Sequence, residues 1–469
     1  MLTKCSTFNE NLIFKTRSYT VPMIFVRIRK GYNLKIEGKP SLETDTIAPP
    51  SHVAVLPERI PFIKPRLQVE IGDHVNVGSL LFEDKRNSDL KFLAPGGGEV
   101  VQINFGPRRI IQEIVIRLDT DEKYEKFEAF DENKLEKTDR KQLIKLIMAG
   151  GLWPLIRELP FRDIAGPDDR PPVIFVNLDD QESFQPLAEV YLKGKRDLFD
   201  YGIKVLHKLG NGNVYISACR DHSGVIKELN GRVTHTYSGN YPADDPGVLL
   251  YYTKRSSDDN RSWYINGQDV LLLAHLLKTG TYPTERTVVL AGSFARERLH
   301  IRTRMGVPLA HMAQGRADKA QTRYLVGGIF RGYSGSERSY LGFYETSLTL
   351  MPEGEEREVL AFIRPGFNKP SYSKTFLSFF TKTDLRLDCN LHGGERACIG
   401  CGYCVDVCPV DILPQLTFKS IFAQEIDESL AHGLLDCVEC GLCSYVCPSK
   451  IELAATLKEA KAEYYKQIS

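Results

Sequence analysis

The chain has no apolar run long enough to cross a bilayer. A spanning helix needs about eighteen such residues, and the best stretch, Asp269 to Leu277, is half that length. It also carries almost no net charge, +1 over 469 residues, so the global basic field that nucleic-acid binding relies on is missing. The first 22 residues lack the apolar core of a secretory leader and include Glu10. They read as a disordered extension, or an over-long start before Met23, rather than a cleaved targeting peptide. Dispersed cysteine is lacking too: of eleven, only Cys5, Cys219 and Cys389 lie outside two tight groups near the C-terminus. A secreted disulfide scaffold spreads its cysteines through a smaller chain. This distribution points instead to metal ligands in a reducing compartment.

A chain of this length, 42% hydrophobic and 26% charged, exceeds what one core can organise, so several folded units are expected. After the 1–22 extension, residues 23–120 alternate apolar and polar positions with frequent Gly and Pro, as short strands joined by tight turns do. Within them, Val69-Glu-Ile-Gly-Asp-His-Val-Asn-Val-Gly78 and Ala94-Pro-Gly-Gly-Gly-Glu-Val-Val101 form two similar strand-turn units. This pairing resembles the barrel-sandwich hybrid of biotinyl and lipoyl domains. In such carriers a modified lysine sits at a hairpin tip, which makes Lys85 a candidate swinging-arm site. The competing reading is a solvated loop, because the segment to Lys91 is charged and longer than a tight tip.

Residues 121–142 are strongly charged and lead into a helix expected over Lys141 to Arg157. Strand-like runs (Val173 to Asn177, Val214 to Ala218) then alternate with helix-like ones (Leu198 to Leu209), the rhythm of an open, doubly wound α/β sheet. Residues 121–260 therefore read as a Rossmann-like domain. It lacks a phosphate loop: Gly150-Gly151 is followed by Leu-Trp-Pro, Gly327-Gly328 stands alone, and neither makes G-x-G-x-x-G. Both read as turn glycines. Residues 261–365, with a helix over Gln268 to Lys278 and β-rich runs at Thr287 to Ala291 and Tyr344 to Leu350, suggest an α+β or β-grasp-like (SLBB-type) module. Gly366 to Lys382 places Phe376, Phe379 and Phe380 at helical spacing, which predicts an amphipathic helix with those aromatics in the core rather than against quinone or membrane.

The chemistry lies in residues 366–469. Two runs, Cys398-x-x-Cys401-x-x-Cys404-x-x-x-Cys408-Pro409 and Cys437-x-x-Cys440-x-x-Cys443-x-x-x-Cys447-Pro448, repeat one spacing. It is the two-cluster ferredoxin pattern, in which three thiolates wrap one cubane and the fourth ligates the other. Cys398, Cys401, Cys404 and Cys447 are thereby assigned to one 4Fe-4S cluster, and Cys437, Cys440, Cys443 and Cys408 to a second. Zinc has no use for the third cysteine and the Cys-Pro of each run. Gly400, Gly402 and Gly441 permit the tight backbone path around a cubane. The helical periodicity of Gln415 to Leu435 predicts a helical ferredoxin-type domain. His392 could tune or ligate, but eight cysteines complete two clusters and a turn histidine is favoured. No acid-base dyad or activated nucleophile stands nearby, so the chain reads as an electron relay.

The chain as a whole resembles the NqrA family, one of the subunits of the sodium-translocating NADH:quinone reductase (Nqr). The likeness is carried by Met23-Ile-Phe-Val-Arg-Ile-Arg-Lys-Gly-Tyr-Asn-Leu34, Ser51-His-Val-Ala-Val55, Leu81-Phe-Glu-Asp-Lys85, Gly151-Leu-Trp153, Ile265-Asn-Gly-Gln-Asp-Val270, Val289-Leu-Ala-Gly292 and Pro365-Gly-Phe-Asn-Lys369. The resemblance implies a peripheral subunit on the cytoplasmic face of the membrane, in a complex that oxidises NADH, reduces quinone and exports sodium. It further implies membrane-embedded and flavin-bearing partner subunits that carry the NADH, flavin and ion sites, and an association of this subunit with quinone. Many members of that family look cysteine-poor at the C-terminus. The paired ferredoxin motifs resemble RnfC of the Rnf complex instead, but Ala149-Gly-Gly-Leu-Trp-Pro154 lacks that protein's flavin or nucleotide loop. An RnfC-type protein and a docking subunit with purely structural clusters are the alternatives.

Overall fold

The computed structural model describes residues 23–210, 212–229, 231–318, 321–354, 365–390 and 393–468. The expectations for residues 1–22 and for His392 lie outside these. Two small antiparallel sheets form the N-terminal barrel-sandwich. One is four-stranded, in the order His52–Val55, Ile111–Leu118, Gly98–Phe105, His74–Val75, and the other three-stranded, Pro65–Leu67, Leu80–Asp84, Asn87–Leu93. Val53, Leu81, Phe82, Phe92, Val100 and Ile114 are buried in one core, with Leu81 and Phe82 both buried where the strand register shifts and the Phe82 and Phe92 rings stacked at 4.5 Å.

The residues before His52 do not join these sheets. Ile24–Arg27 pairs in parallel with His235–Ser238 of the α/β sheet, and Thr44–Thr46 pairs with Leu299–Arg304 of the third unit. The N-terminal segment thus stitches the later units together before the barrel begins. The loop expected around Lys85 is absent as well. Asp84 pairs with Asn87, which leaves a two-residue turn, Lys85-Arg86, with Lys85 exposed. Arg86 pins this tip by bonding Asp84 and, at 3.0 Å, Asp163 of the α/β unit.

The α/β sheet runs in the order Ile24–Arg27, His235–Ser238, Val214–Cys219, Ile174–Asn177, Trp263–Asn266, then the short Arg157–Glu158 and Asp163–Ile164. The first five strands are parallel. Both faces are covered, which is why the strands read as continuous apolar runs. Ile174, Val176, Ile216 and Ile265 face a layer of helices, Arg140–Ala149, Arg196–Leu209 and Gly267–Thr279. Phe175, Tyr237 and Tyr264 face the Pro246–Thr253 helix and the C-terminal domain. The Gly267–Thr279 helix, expected in the following module, packs here against Arg196–Leu209.

Two expected helices differ. The one over Lys141 to Arg157 stops at Ala149, because Gly151 takes φ 67° and Trp153-Pro154-Leu155 makes a single 3-10 turn. The one over Gly366 to Lys382 does not form: only Leu377–Phe380 makes a 3-10 turn, and Phe379 (47%) and Phe380 (77%) are exposed rather than core. Pro370 lacks a backbone donor. The Ser371 hydroxyl takes the Thr375 N–H at 3.0 Å, the local bonding by which serine competes with helix.

The third unit is a six-stranded mixed sheet, Tyr333–Gly335, Thr322–Val326, Ser347–Pro352, Glu285–Ala291, Leu299–Arg304, Thr44–Thr46, closed by the Leu309–Ala313 helix. The C-terminal domain consists of short helices, Tyr403–Val407, Pro414–Phe422, Ile426–Ala431 and Leu442–Tyr445, followed by Leu453–Ile468. The helical run expected over Gln415 to Leu435 is broken where Gln424 turns to φ 59°.

Trp153 is fully buried, sits edge-on to Trp263 at 5.7 Å, and donates to the Ala165 carbonyl at 2.8 Å. Trp153→Ala should cost about 3–5 kcal/mol and lower the α/β unit's midpoint in calorimetry. Trp153→Phe should recover most of that loss while still leaving the Ala165 carbonyl without its donor. Equal midpoints for the alanine variant and the wild type would show that Trp153 does not organise this core.

Candidate iron-sulfur centre

The two cysteine runs adopt the same local path. Gly402 (φ 79°) starts the Tyr403–Val407 helix and Gly441 (φ 78°) starts Leu442–Tyr445. Each helix is one turn long, and Pro409 and Pro448 follow the fourth cysteine and prevent its continuation. That geometry turns Cys408 and Cys447 away from their own runs.

They meet the opposite ones. One cavity is lined by Cys398, Cys401, Cys404 and Cys447, with Ile399, Phe418, Ile451 and Leu453 as apolar walls. A second is lined by Cys437, Cys440, Cys443 and Cys408, walled by Val407, Ile412, Leu442 and Leu457. Among the described residues no three His, Cys, Asp or Glu side chains converge on a single-ion site; the thiols surround a volume instead. In the first, outer cavity, Cys398 and Cys401 are exposed, whereas Cys408 and Cys437 of the inner one are buried. Burial pushes the inner thiols up, Cys408 to about 11 and Cys440 to about 12, and the neighbouring thiols add to this. Four thiolates together in such a site require a compensating cationic centre. The donor set and the shape both fit an iron-sulfur cluster.

Buried and half-buried charges flank the inner cysteine loop. Lys461, 2% exposed, donates to the Cys437 carbonyl at 2.7 Å and to Glu439 at 3.2 Å. Arg162 donates to the Val438 carbonyl at 3.1 Å and to Asp245 at 2.8 Å. Arg331 donates to the same Asp245 at 2.7 Å. The Tyr241 hydroxyl lies 2.9 Å from the Cys440 carbonyl and 3.1 Å from Glu182, one proton for two acceptors.

Arg162, Asp245, Arg331, Val438 and Glu439 border a larger open cavity of about 1810 Å³, lined by residues of the α/β sheet, the six-stranded sheet and the cysteine loops. Asn177 and Asn266 mark its floor, at the carboxyl ends of adjacent parallel strands. Chain order reverses between those two strands, since Ile174–Asn177 has Val214–Cys219 on its other side, which makes this the topological switch point of the sheet. The Gly327-Gly328 turn serves this wall: the Glu182 carboxylate accepts the N–H groups of Ile329, Phe330 and Arg331 at 3.1–3.3 Å, and a side chain at Gly328 would collide with it. Gly150 and Gly151 lie instead under Leu276 and Leu93, a packing turn with no phosphate cradle.

All eight candidate cysteines are thus gathered in two groups. The charged shell, Arg162, Asp245, Arg331 and Lys461, escaped sequence reading because its members come from four separate elements. Its only signal was Lys461, a lone cation on the apolar face of the last helix.

Burial pushes Asp245 up, but Arg162 and Arg331 overcome it and hold the carboxyl below its usual range. Its contribution to stability is therefore complete above about pH 4 and lost as pH falls through the lowered value. Thermal midpoints taken from pH 5 to pH 2 should fall more steeply for the wild type than for Asp245→Asn. At pH 7 the variant should lose about 3–5 kcal/mol, because two buried cations lose their anion. Parallel acid limbs would exclude Asp245 as the titrating group.

Residues 26–119 match the NqrA N-terminal barrel-sandwich hybrid domain, 138–282 the NqrA second alpha/beta domain, and 397–451 a 4Fe-4S dicluster domain. The NqrA protein of the Na(+)-translocating NADH-quinone reductase of Histophilus somni (strain 2336) is 32% identical over 411 residues, covering 87% of this chain and 92% of its own. That of Yersinia pestis bv. Antiqua (strain Angola) is 31% identical over 413 residues with the same coverage, and that of Photorhabdus laumondii is 32% identical over 415. With relatives above 30% identity along nearly their whole length, the chain belongs to the NqrA family, a subunit family of the Na(+)-translocating NADH-quinone reductase, an oxidoreductase complex.

Proposed function

We propose that this chain is an electron-transfer subunit holding two 4Fe-4S clusters, the outer on Cys398, Cys401, Cys404 and Cys447 and the inner on Cys437, Cys440, Cys443 and Cys408. The observation that carries this reading is the lining of the two cavities, each by three cysteines of one run and the fourth of the other. A cubane bound in either place supplies one-electron transfer. The protein's own contribution is to expose Cys398 and Cys401 at one end and to bury the other end beside the switch-point cavity. This polarity suits a relay between a protein partner and the interior. Hydrogen bonds, net charge and solvent exposure set cluster potentials; the cations Lys461, Arg162 and Arg331 favour electron residence at the inner site.

The names of the relatives support a place in a multi-subunit complex that passes electrons from NADH to quinone and translocates sodium; within it we read this chain as a peripheral subunit on the cytoplasmic face of the membrane, partnered by membrane-embedded and flavin-bearing subunits. Among the described residues no helix is long and apolar enough to cross a membrane. The six-stranded sheet with its single helix supports a β-grasp-like module between the α/β unit and the ferredoxin-type domain. An RnfC-type protein with its own flavin loop is disfavoured, because the turn at Gly150-Gly151 is filled by packing side chains.

Anaerobically purified protein should contain about eight iron and eight labile sulfide per chain and show two interacting reduced signals in low-temperature EPR. Cys408→Ser should remove the inner signal and Cys447→Ser the outer one, each leaving the other largely intact. In the assembled complex NADH should reduce both within a turnover. Stoichiometric zinc with little iron would sink the assignment, and each serine variant abolishing the cluster of its own run would overturn the crossed ligation.

A further inference from the structure

The outer cysteines reach solvent beside apolar side chains that the chain leaves uncovered. Cys398 and Cys401 are exposed, and Ile399 between them is 71% exposed while also lining the outer cavity. Gln415 and Phe418, on the Pro414–Phe422 helix, line the same cavity, and Gln415 accepts from the Cys404 thiol at 3.2 Å. One helical turn beyond Phe418, the ring of Phe422 packs on it with centroids 4.6 Å apart, and Phe422 is itself 70% exposed. Single exposed apolar residues are ordinary on a protein surface, but these continue directly from the wall of a cofactor-sized cavity. Nothing of the chain lies within 4 Å of where a side chain at Gly400 or Gly402 would begin, so the backbone on either side of Cys401 is bare there. Cys408 and Cys437 of the inner group are instead packed against the α/β sheet.

The charge beside this patch has one prevailing sign. Directly after Phe422 come Glu425, Asp427 and Glu428, all exposed, and the stretch from Gln415 to Ala431 sets against them the single cation Lys419. Glu428 approaches His432 at 4.0 Å. On the other lip Glu395 and Arg396 stand side by side with opposite charge, and Arg396 is turned to the Pro448 carbonyl at 3.2 Å. Lys450 lines the switch-point cavity instead. Four thiolates outweigh the charge of an iron-sulfur core, so a bound cluster makes this face more negative still.

We propose that Ile399, Phe418 and Phe422, with the carboxylates Glu425, Asp427 and Glu428 at their edge, form the docking surface for a one-electron carrier protein whose own redox centre lies in an apolar patch rimmed by lysine and arginine. This rests on the cluster assignment above and adds the partner of the outer site. One electron crosses between the partner's centre and the outer cluster, one being oxidised as the other is reduced, with no bond made or broken. A patch of this size suits the small, short-lived interfaces of electron-transfer encounters. Opposite charges at the rim speed the encounter and orient it, and the exposed rings exclude water where the two centres come closest.

The test is stopped-flow oxidation of the anaerobic, cluster-loaded full chain, reduced with dithionite and freed of the excess, by two small one-electron proteins: cytochrome c, which is basic, and rubredoxin, which is acidic. The second-order rate with cytochrome c should fall about tenfold between about 0.01 and 0.15 M ionic strength, and that with rubredoxin should not fall. Glu425→Gln/Asp427→Asn/Glu428→Gln should lower the low-salt rate with cytochrome c about tenfold and flatten its salt dependence. Phe422→Ser should lower it about fivefold while keeping the salt dependence. All these side chains are exposed, and both variants should keep the wild-type iron content and EPR signals. A rate with cytochrome c that does not fall with salt, or that either variant leaves unchanged, overturns the docking surface. A wild-type dimer in sedimentation that Phe422→Ser dissolves assigns the patch to a second copy of the chain and overturns it too. In each of these cases the clusters stand, whereas a wild type without EPR signals before any carrier is added removes the cluster assignment and the docking surface together.

Discussion

The molecule depends on one buried anion. Asp245, fully enclosed, is gripped by Arg162 from the hairpin edging the α/β sheet and by Arg331 from the turn between Thr322–Val326 and Tyr333–Gly335 of the six-stranded sheet, and Arg162 continues to the Val438 carbonyl between two inner cysteines. Three units of the chain are thereby tied at one carboxylate. Ion pairs taken out of water stabilise little by themselves, because desolvation offsets most of the attraction. What they provide is specificity: each unit can dock only where its charge finds its partner. The apolar surface around the knot supplies the driving force, with Phe175, Val248, Val438 and Leu457 in one shared core.

That shared core has a consequence for the cysteines. Cys408 and Cys437 are members of it, alongside the strand residues Phe175 and Tyr264. The inner thiols therefore do not belong to a detachable ferredoxin module, because their environment is completed by the α/β sheet. The outer ones, with Cys398 and Cys401 in solvent, are a property of the C-terminal domain alone. Two sequence-identical spacings end in unlike surroundings, and surroundings are what separate the potentials of chemically identical clusters.

The cysteine runs were legible because their information is local: spacing, glycine and proline lie within twelve residues of one another, and the crossed pairing follows from the Cys-Pro geometry. The parallel strands were legible because burial on both faces leaves uninterrupted apolar runs such as Ile174–Asn177. The helix expected at Gly366 to Lys382 failed on competing local signals, since aromatic spacing suggested helix while Pro370 and the Ser371 hydroxyl favour turns. The pairing of the first two strands was not legible for another reason. Ile24–Arg27 and Thr44–Thr46 look like neighbours of the barrel strands, but their hydrogen-bond partners lie some two hundred residues or more away. No pattern in the segment itself carries that information.

The Arg162–Asp245–Arg331 knot marks the limit of such reading most clearly. Each member looks like an ordinary surface charge in sequence, and the commonest fate of such residues is solvent. What distinguishes them is that the sheet's switch point, the Gly327-Gly328 turn and the cysteine loop converge there, so three commonplace side chains are drawn largely out of water together. Burial of charge at that price in solvation is maintained where a site needs fixed dipoles and cations that do not reorganise when an electron arrives.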